Sequence, residues 1–135
     1  MEDCTKYFNQ EYTTFSPDFT LPSTFKIEYE DYINSSKPSF VYVGETTGKA
    51  LLCGKIVSSS TQLYIIARNG DSNKVTNCSN CTYNTWISET ITYDGTNFEF
   101  DNTSVTDLNG VSLTKLVSYD GGGYSKIRNI KIKPL

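Results

Sequence analysis

Trp86-Ile87-Ser88-Glu89-Thr90-Ile91-Thr92-Tyr93-Asp94-Gly95-Thr96-Asn97-Phe98-Glu99-Phe100 is the stretch that decides the fold class. Side chains on a strand point alternately to its two faces, so a period of two marks a strand with one buried side. Ile87, Glu89 and Ile91 share one face, and Ser88, Thr90 and Thr92 share the other. The alternation stops at Asp94-Gly95, a dipeptide suited to tight hairpin turns because glycine accepts positive φ. Phe98-Glu99-Phe100 follows at once, so residues 87–100 read as a β-hairpin.

The same signal extends outward in both directions. Phe25-Lys26-Ile27-Glu28-Tyr29-Glu30 alternates strictly, with Phe25, Ile27 and Tyr29 on the face to be buried. Phe40-Val41-Tyr42-Val43, Leu51-Leu52-Cys53 and Leu63-Tyr64-Ile65-Ile66-Ala67 are short β-rich runs bounded by turn residues. Asn109-Gly110 is a second turn, leading to Val111 and the run from Leu113 to Val117. Asp120-Gly121-Gly122-Gly123 is a looser third turn. A last strand runs from about Lys126 to Lys133, with Ile130 and Ile132 inward, and Pro134 ends it. Roughly ten strands at this spacing predict an all-β sandwich or barrel. Residues 69–84, rich in Asn and Ser, read as the longest irregular stretch. No internal repeat points to a propeller or solenoid.

The chain has 135 residues, enough for one domain with its own core. It has no histidine, which removes Ser-His-Asp and Cys-His catalysis and every histidine metal site. No apolar run approaches the ~18 residues of a membrane-spanning helix, so membrane insertion is not expected. No charged-then-apolar leader opens the chain, and Met1-Glu2-Asp3-Cys4 reads as the start of a segment excised from a longer protein. With a net charge of −3, no basic face for nucleic acid is evident. The nearest thing is Lys126, Arg128, Lys131 and Lys133, which strict alternation would spread over two faces as a solvated strand.

Four cysteines leave several readings open. Cys78 and Cys81 have the spacing of half a zinc knuckle, but with no histidine and with Cys4 and Cys53 isolated, zinc is not the favoured reading. A Cys78–Cys81 or Cys4–Cys53 disulfide stands level with free thiols. Asp18, Asp71, Asp101, Asp107 and Asp120 lie in expected loops and could offer oxygens to calcium, although no fixed calcium-loop spacing occurs. Otherwise no cofactor is expected. Glu89 shares its face with Ile87 and Ile91, so it should be buried. A buried carboxylate needs a partner, and Lys55, Arg68 and Arg128 are candidates. A bulge that turns it outward, or a role as a ligand-facing acid on an open sheet, are the other readings.

Three segments resemble the laminin-G/concanavalin-like jelly-roll superfamily. They are the run from Phe19 to Glu28, the hairpin from Asn84 through Trp86 to Gly95, and the closing run from Ile127 to Leu135. The likeness covers about residues 12–135 and implies a two-sheet antiparallel jelly-roll sandwich. In flavour it resembles domains of tail and adhesin proteins of phages and of proviruses in Gram-positive bacteria and methanogenic archaea. That resemblance implies an extracellular or virion-surface location and a cell-surface glycan or cell-wall polysaccharide as partner.

Retaining glucanases of that superfamily carry Glu-x-Asp-x-x-Glu on a strand. Here Glu28 and Glu30 share a face, but position 33 is Ile33, so a non-enzyme is expected and the two acids read as a solvated face. Trp86 is read as a core aromatic or a lid at the core edge rather than a sugar platform. Asn129 is read as bonding to a neighbouring loop. Sugar recognition needs aromatic surface beside planar hydrogen-bonding groups. Tyr119, Asp120 and Tyr124 around the glycine loop supply these, with Tyr42, Tyr64 and Arg68 on neighbouring strands and Glu89 as the acid. The rival reading is a structural or oligomerisation module of a tail or fibre, a homo-oligomer with no ligand site.

Overall fold

The alternation of apolar and polar residues becomes an alternation of burial in the computed structural model, which describes residues 6–12, 18–33, 39–44, 50–57, 61–68, 73–77, 82, 84–101, 103–106, 108, 111–118 and 126–135. Twelve strands are found among the described residues: β1 (Lys6–Tyr12), β2 (Asp18–Thr20), β3 (Phe25–Tyr32), β4 (Ser39–Gly44), β5 (Ala50–Val57), β6 (Thr61–Arg68), β7 (Asn73–Asn77), β8 (Trp86–Tyr93), β9 (Phe98–Phe100), β10 (Thr103–Val105), β11 (Lys115–Ser118) and β12 (Lys126–Pro134). They form two six-stranded sheets. One has the order β1-β12-β3-β8-β9-β10 and the other β2-β11-β4-β5-β6-β7. Every pairing is antiparallel.

One apolar interior joins the sheets. Phe25, Ile27, Ile91, Phe98, Phe100, Ile130 and Ile132 from the first sheet meet Val43, Leu51, Cys53 and Leu116 from the second. On β3 burial alternates without a break, and Phe25 packs its ring 5.8 Å from that of Tyr93. The long final strand lies between β1 and β3, and Thr24 Oγ1 donates to the Leu135 carbonyl, tying the end of β12 to the start of β3.

The expected hairpin is present as β8 paired with β9, Tyr93 opposite Phe98. Its loop spans 94–97 rather than a bare Asp-Gly turn. Asp94 Oδ1 accepts the backbone N–H groups of Asn97 at 2.7 Å and Thr96 at 2.9 Å, and Gly95 takes φ of 100°. Those hydrogen bonds, the one from Asn97 first, hold the Asp94 carboxyl below the usual carboxylate range.

Three features depart from the sequence reading. Asn73–Asn77 of the supposedly irregular 69–84 is β7, because Thr, Val and Asn alternate well enough to pair with β6 once that strand is in place. Trp86 stands outside the interior, half-buried on the outer face of its sheet, for Ile87 and Ile91 take the inward positions of β8. The third concerns β12. Arg128 faces Glu30 and Lys131 faces Glu28, so Asn129 and Ile130 together oppose Tyr29 alone. This is a β-bulge, and Asn129 holds its left-handed position with φ of 53°. Strict alternation therefore fails at that point. The Asn109-Gly110 and Asp120–Gly123 turns lie outside the described residues.

Candidate functional site on the outer face of the first sheet

Three adjacent strands build the site. The outward positions of β3 carry Lys26, Glu28, Glu30 and Tyr32, and those of β8 carry Trp86, Ser88 and Thr90. Register places Tyr32 opposite Trp86 and Glu30 opposite Ser88. From the other side β12 sets Arg128 against Glu30. Arg128 Nε donates to Glu30 Oε2 at 2.7 Å, and Asn129 Nδ2 donates to Glu30 Oε1 at 3.1 Å. Both carboxylate oxygens are thus held. The bulge makes this possible by swinging the Asn129 amide to the same side as Arg128.

The aromatic pair lies beside this network. The Trp86 and Tyr32 ring centroids are 5.3 Å apart at 60°. The Arg128 guanidinium lies 3.8 Å from the Trp86 centroid, and the Lys126 ammonium 5.1 Å from that of Tyr32, both within cation–π range. Trp86 is therefore a platform that fixes Arg128, and Arg128 in turn fixes Glu30. Next to them an open groove of about 220 Å³ is lined by Glu28, Glu30, Ser88, Thr90, Asn129 and Lys131, with Tyr29 and Glu89 as its floor. That volume is below the roughly 300–1,000 Å³ of sites that enclose a small molecule, so it fits one unit of a ligand lying across the sheet.

The Arg128 hydrogen bond first, and that from Asn129 second, hold the Glu30 carboxyl below the usual range. Its folded-state pKa thus lies beneath the unfolded one, as does that of Asp94. The stabilisation is fully present above the ordinary carboxylate value near ~4 and is lost as pH falls through the lowered values. The melting temperature is therefore expected to drop as pH is taken below about 4. The double variant Glu30→Gln/Asp94→Asn should show a shallower drop in the same thermal melts.

The described residues among those selected from the sequence divide between the sheets, Glu89 on β8 beneath the groove and Tyr42, Tyr64 and Arg68 on the second sheet. Tyr119, Asp120 and Tyr124 lie outside the described residues. Tyr42, Tyr64 and Arg68 belong to β4 and β6 of the other sheet, at register positions that alternate with buried Val43, Leu51 and Cys53. Glu89 keeps the parity expected of it and is 1 % exposed on the core side. No bulge turns it outward, and Arg128 is committed to Glu30 on the opposite face, which removes that pairing. Beneath the floor, burial first pushes up both the Tyr29 hydroxyl and the Cys53 thiol, and Glu89, Asp31 and Asp101 add to both. Cys53 is a free buried thiol, so the Cys4–Cys53 bridge is not made. Cys78 and Cys81 lie outside the described residues. Among the described residues no three Cys, Asp or Glu side chains form a metal-binding group.

The Glu30–Arg128–Asn129–Trp86 group was missed in the sequence although part of its signal was there. If Ile87 and Ile91 point inward, Trp86 must point outward with Ser88. Nothing local says that Glu30 and Arg128, 98 positions apart, are neighbours.

Two six-stranded antiparallel sheets packed over one interior define an all-β jelly-roll sandwich of the concanavalin-like class. Among solved structures it is similar to congerin II, whose lactose- and MES-liganded form is 14 % identical, with 93 % of this chain and 99 % of that one aligned at a TM-score of 0.61. It is also similar to a fructosyltransferase from A. japonicus, 11 % identical, covering 98 % of this chain and 26 % of that one, with a TM-score of 0.73. The apo Crh5 transglycosylase is a third, 11 % identical, with 95 % and 72 % covered and a TM-score of 0.60. At these identities the likeness is one of fold. No protein-family profile and no curated protein sequence matches the chain.

Proposed function

We propose that the chain is a non-catalytic carbohydrate-binding or host-surface adhesion module, displayed on an extracellular or virion surface as part of a tail or adhesin protein. The observation that carries this reading is the rigid set of planar hydrogen-bonding groups, Glu30, Arg128 and Asn129, held beside Trp86 at the edge of an open groove. Sugar hydroxyls are read by such fixed donors and acceptors next to aromatic surface. One structure of similar fold was solved with lactose, which adds support. The tail or adhesin setting rests on the sequence resemblance alone.

The non-catalytic part of the reading is supported by Glu30 itself. A general acid for glycoside cleavage needs a raised pKa, and Glu30 is held below the usual range, which unsuits it to that role. Its two oxygens are moreover tied to Arg128 and Asn129, which leaves neither free for attack as a nucleophile. Position 33, where the glucanase pattern places a third carboxylate, is core residue Ile33.

Trp86 is the one tryptophan in the sequence, so its fluorescence reports on this site directly. Titration with cell-wall polysaccharides is expected to change its emission. Calorimetry should then show Trp86→Phe and Glu30→Gln weakening the interaction by roughly tenfold or more, the scale of a lost hydrogen bond to a charged group. Absence of binding to any glycan at millimolar levels would refute the reading. Turnover of a β-glucan that disappears in Glu30→Gln would refute its non-catalytic part.

A further inference from the structure

The bulge at Asn129 has a second effect on β12. Strict alternation would put Lys126 and Arg128 on one face and Lys131 and Lys133 on the other. The extra residue resets the parity, so that Ile127, Ile130 and Ile132 all point inward. The four cations therefore emerge together on the outer face. Lys126 lies over Tyr32, Arg128 over Trp86, Lys131 lines the groove with Glu28, and Lys133 stands in register with Lys26. The two-face expectation for this run is overturned. Together with Lys26 the cations form a stripe about 20 Å long, the span of these strand residues.

The two carboxylates that β3 sets beside β12 are both engaged. Glu30 is held by Arg128 and Asn129, and Glu28 lies 3.4 Å from Lys26. Among the described residues no ion pair involves Lys131 or Lys133. Across the whole face five cations stand against four acids, since Glu11 of β1 is in register with Arg128 and Glu99 of β9 with Thr92. Lys131 and Lys133 stand near each other on β12, at the groove and in register with Glu28 and Lys26.

We infer that the ligand of this groove is an acidic polysaccharide, with carboxylate, sulfate or phosphodiester groups spaced between hydroxylated rings, lying along β12. The inference rests on the carbohydrate reading of the same site. Lys131 and Lys133 meet the anionic groups, while Glu28, Ser88, Thr90 and Asn129 meet hydroxyls. The interspersed acids match a polymer whose charges are interrupted by neutral polar groups. They fit nucleic acid poorly, because a phosphate at every nucleotide would have to pass Glu28 and Glu30.

The test uses the intact chain and Trp86 fluorescence with matched probes: polygalacturonate and its methyl-esterified neutral form, poly(glycerol phosphate), and an oligothymidylate. At least one anionic polymer is expected to bind roughly tenfold more tightly than the neutral one, and to weaken as NaCl rises from about 50 to about 300 mM. Lys131→Ala/Lys133→Ala should lose roughly five- to tenfold in affinity, on the scale of two exposed charge pairs, with an unchanged thermal melt. Equal binding of the neutral polymer, with the double variant unaffected, would overturn the inference and leave the carbohydrate reading intact. Silence towards every glycan would bring down both. Tighter binding of oligothymidylate than of any glycan would overturn it in favour of nucleic acid.

Discussion

Deletion of Asn129 is expected to leave the native fold in place and to disable the candidate site. Asn129 is the extra residue of the bulge, so without it Ile130 opposes Tyr29 while Arg128 stays opposite Glu30 and Lys131 opposite Glu28. The shortened run then alternates without a break, and Ile130 and Ile132, now 0 % and 1 % exposed, keep their inward positions. What is lost is the amide contact to Glu30 and the local twist that the bulge adds. A proton–nitrogen correlation spectrum of the variant should show a folded protein, and its affinity for glycan should fall by roughly tenfold, the scale of a lost hydrogen bond to a charged group. Asn129→Gly is the control, since glycine takes positive φ without strain. That variant should keep the bulge and lose only the amide contact to Glu30. A deletion variant that fails to fold would show that β1, whose register shifts between Phe8 and Glu11 opposite the bulge, depends on the extra residue.

The second large effect is in the core. Phe25 is fully buried at the start of β3, between Pro134 of β12 and Tyr93 of β8 in register, with its ring against Tyr93. Phe25→Ala is expected to cost about 3–5 kcal/mol through lost burial and the cavity left behind. Urea denaturation should register this as a large fall in midpoint with little change in slope. A loss below about 1 kcal/mol would mean that the two sheets close over the gap, contrary to the close packing assigned to this part of the interior.

Where strands alternate cleanly, they were legible in detail. β3, β8 and β9 run close to where their patterns of Phe, Ile and polar residues place them. β7 was hidden because Asn73–Asn77 carries little apolar signal and depends on β6 for its pairing. β1 was hidden because its register shifts within Lys6–Tyr12, so no single period describes it. The candidate site was less legible. Composition favours tryptophan as a core residue, and parity, the stronger signal, places Trp86 outside. The tyrosines and Arg68 chosen from the sequence belong to the other sheet or lie outside the described residues.

By itself the sequence determined the all-β class, the inward faces of β3 and β8, the burial of Glu89, and the lack of any histidine chemistry. These depend on side-chain period and residue inventory, which are local. Only the tertiary structure decided that β12 lies against β3, so that Glu30 meets Arg128, and that one left-handed asparagine gathers four cations on a single face. Strand order and bulges are set by pairing between distant segments, and no local period in the chain records them.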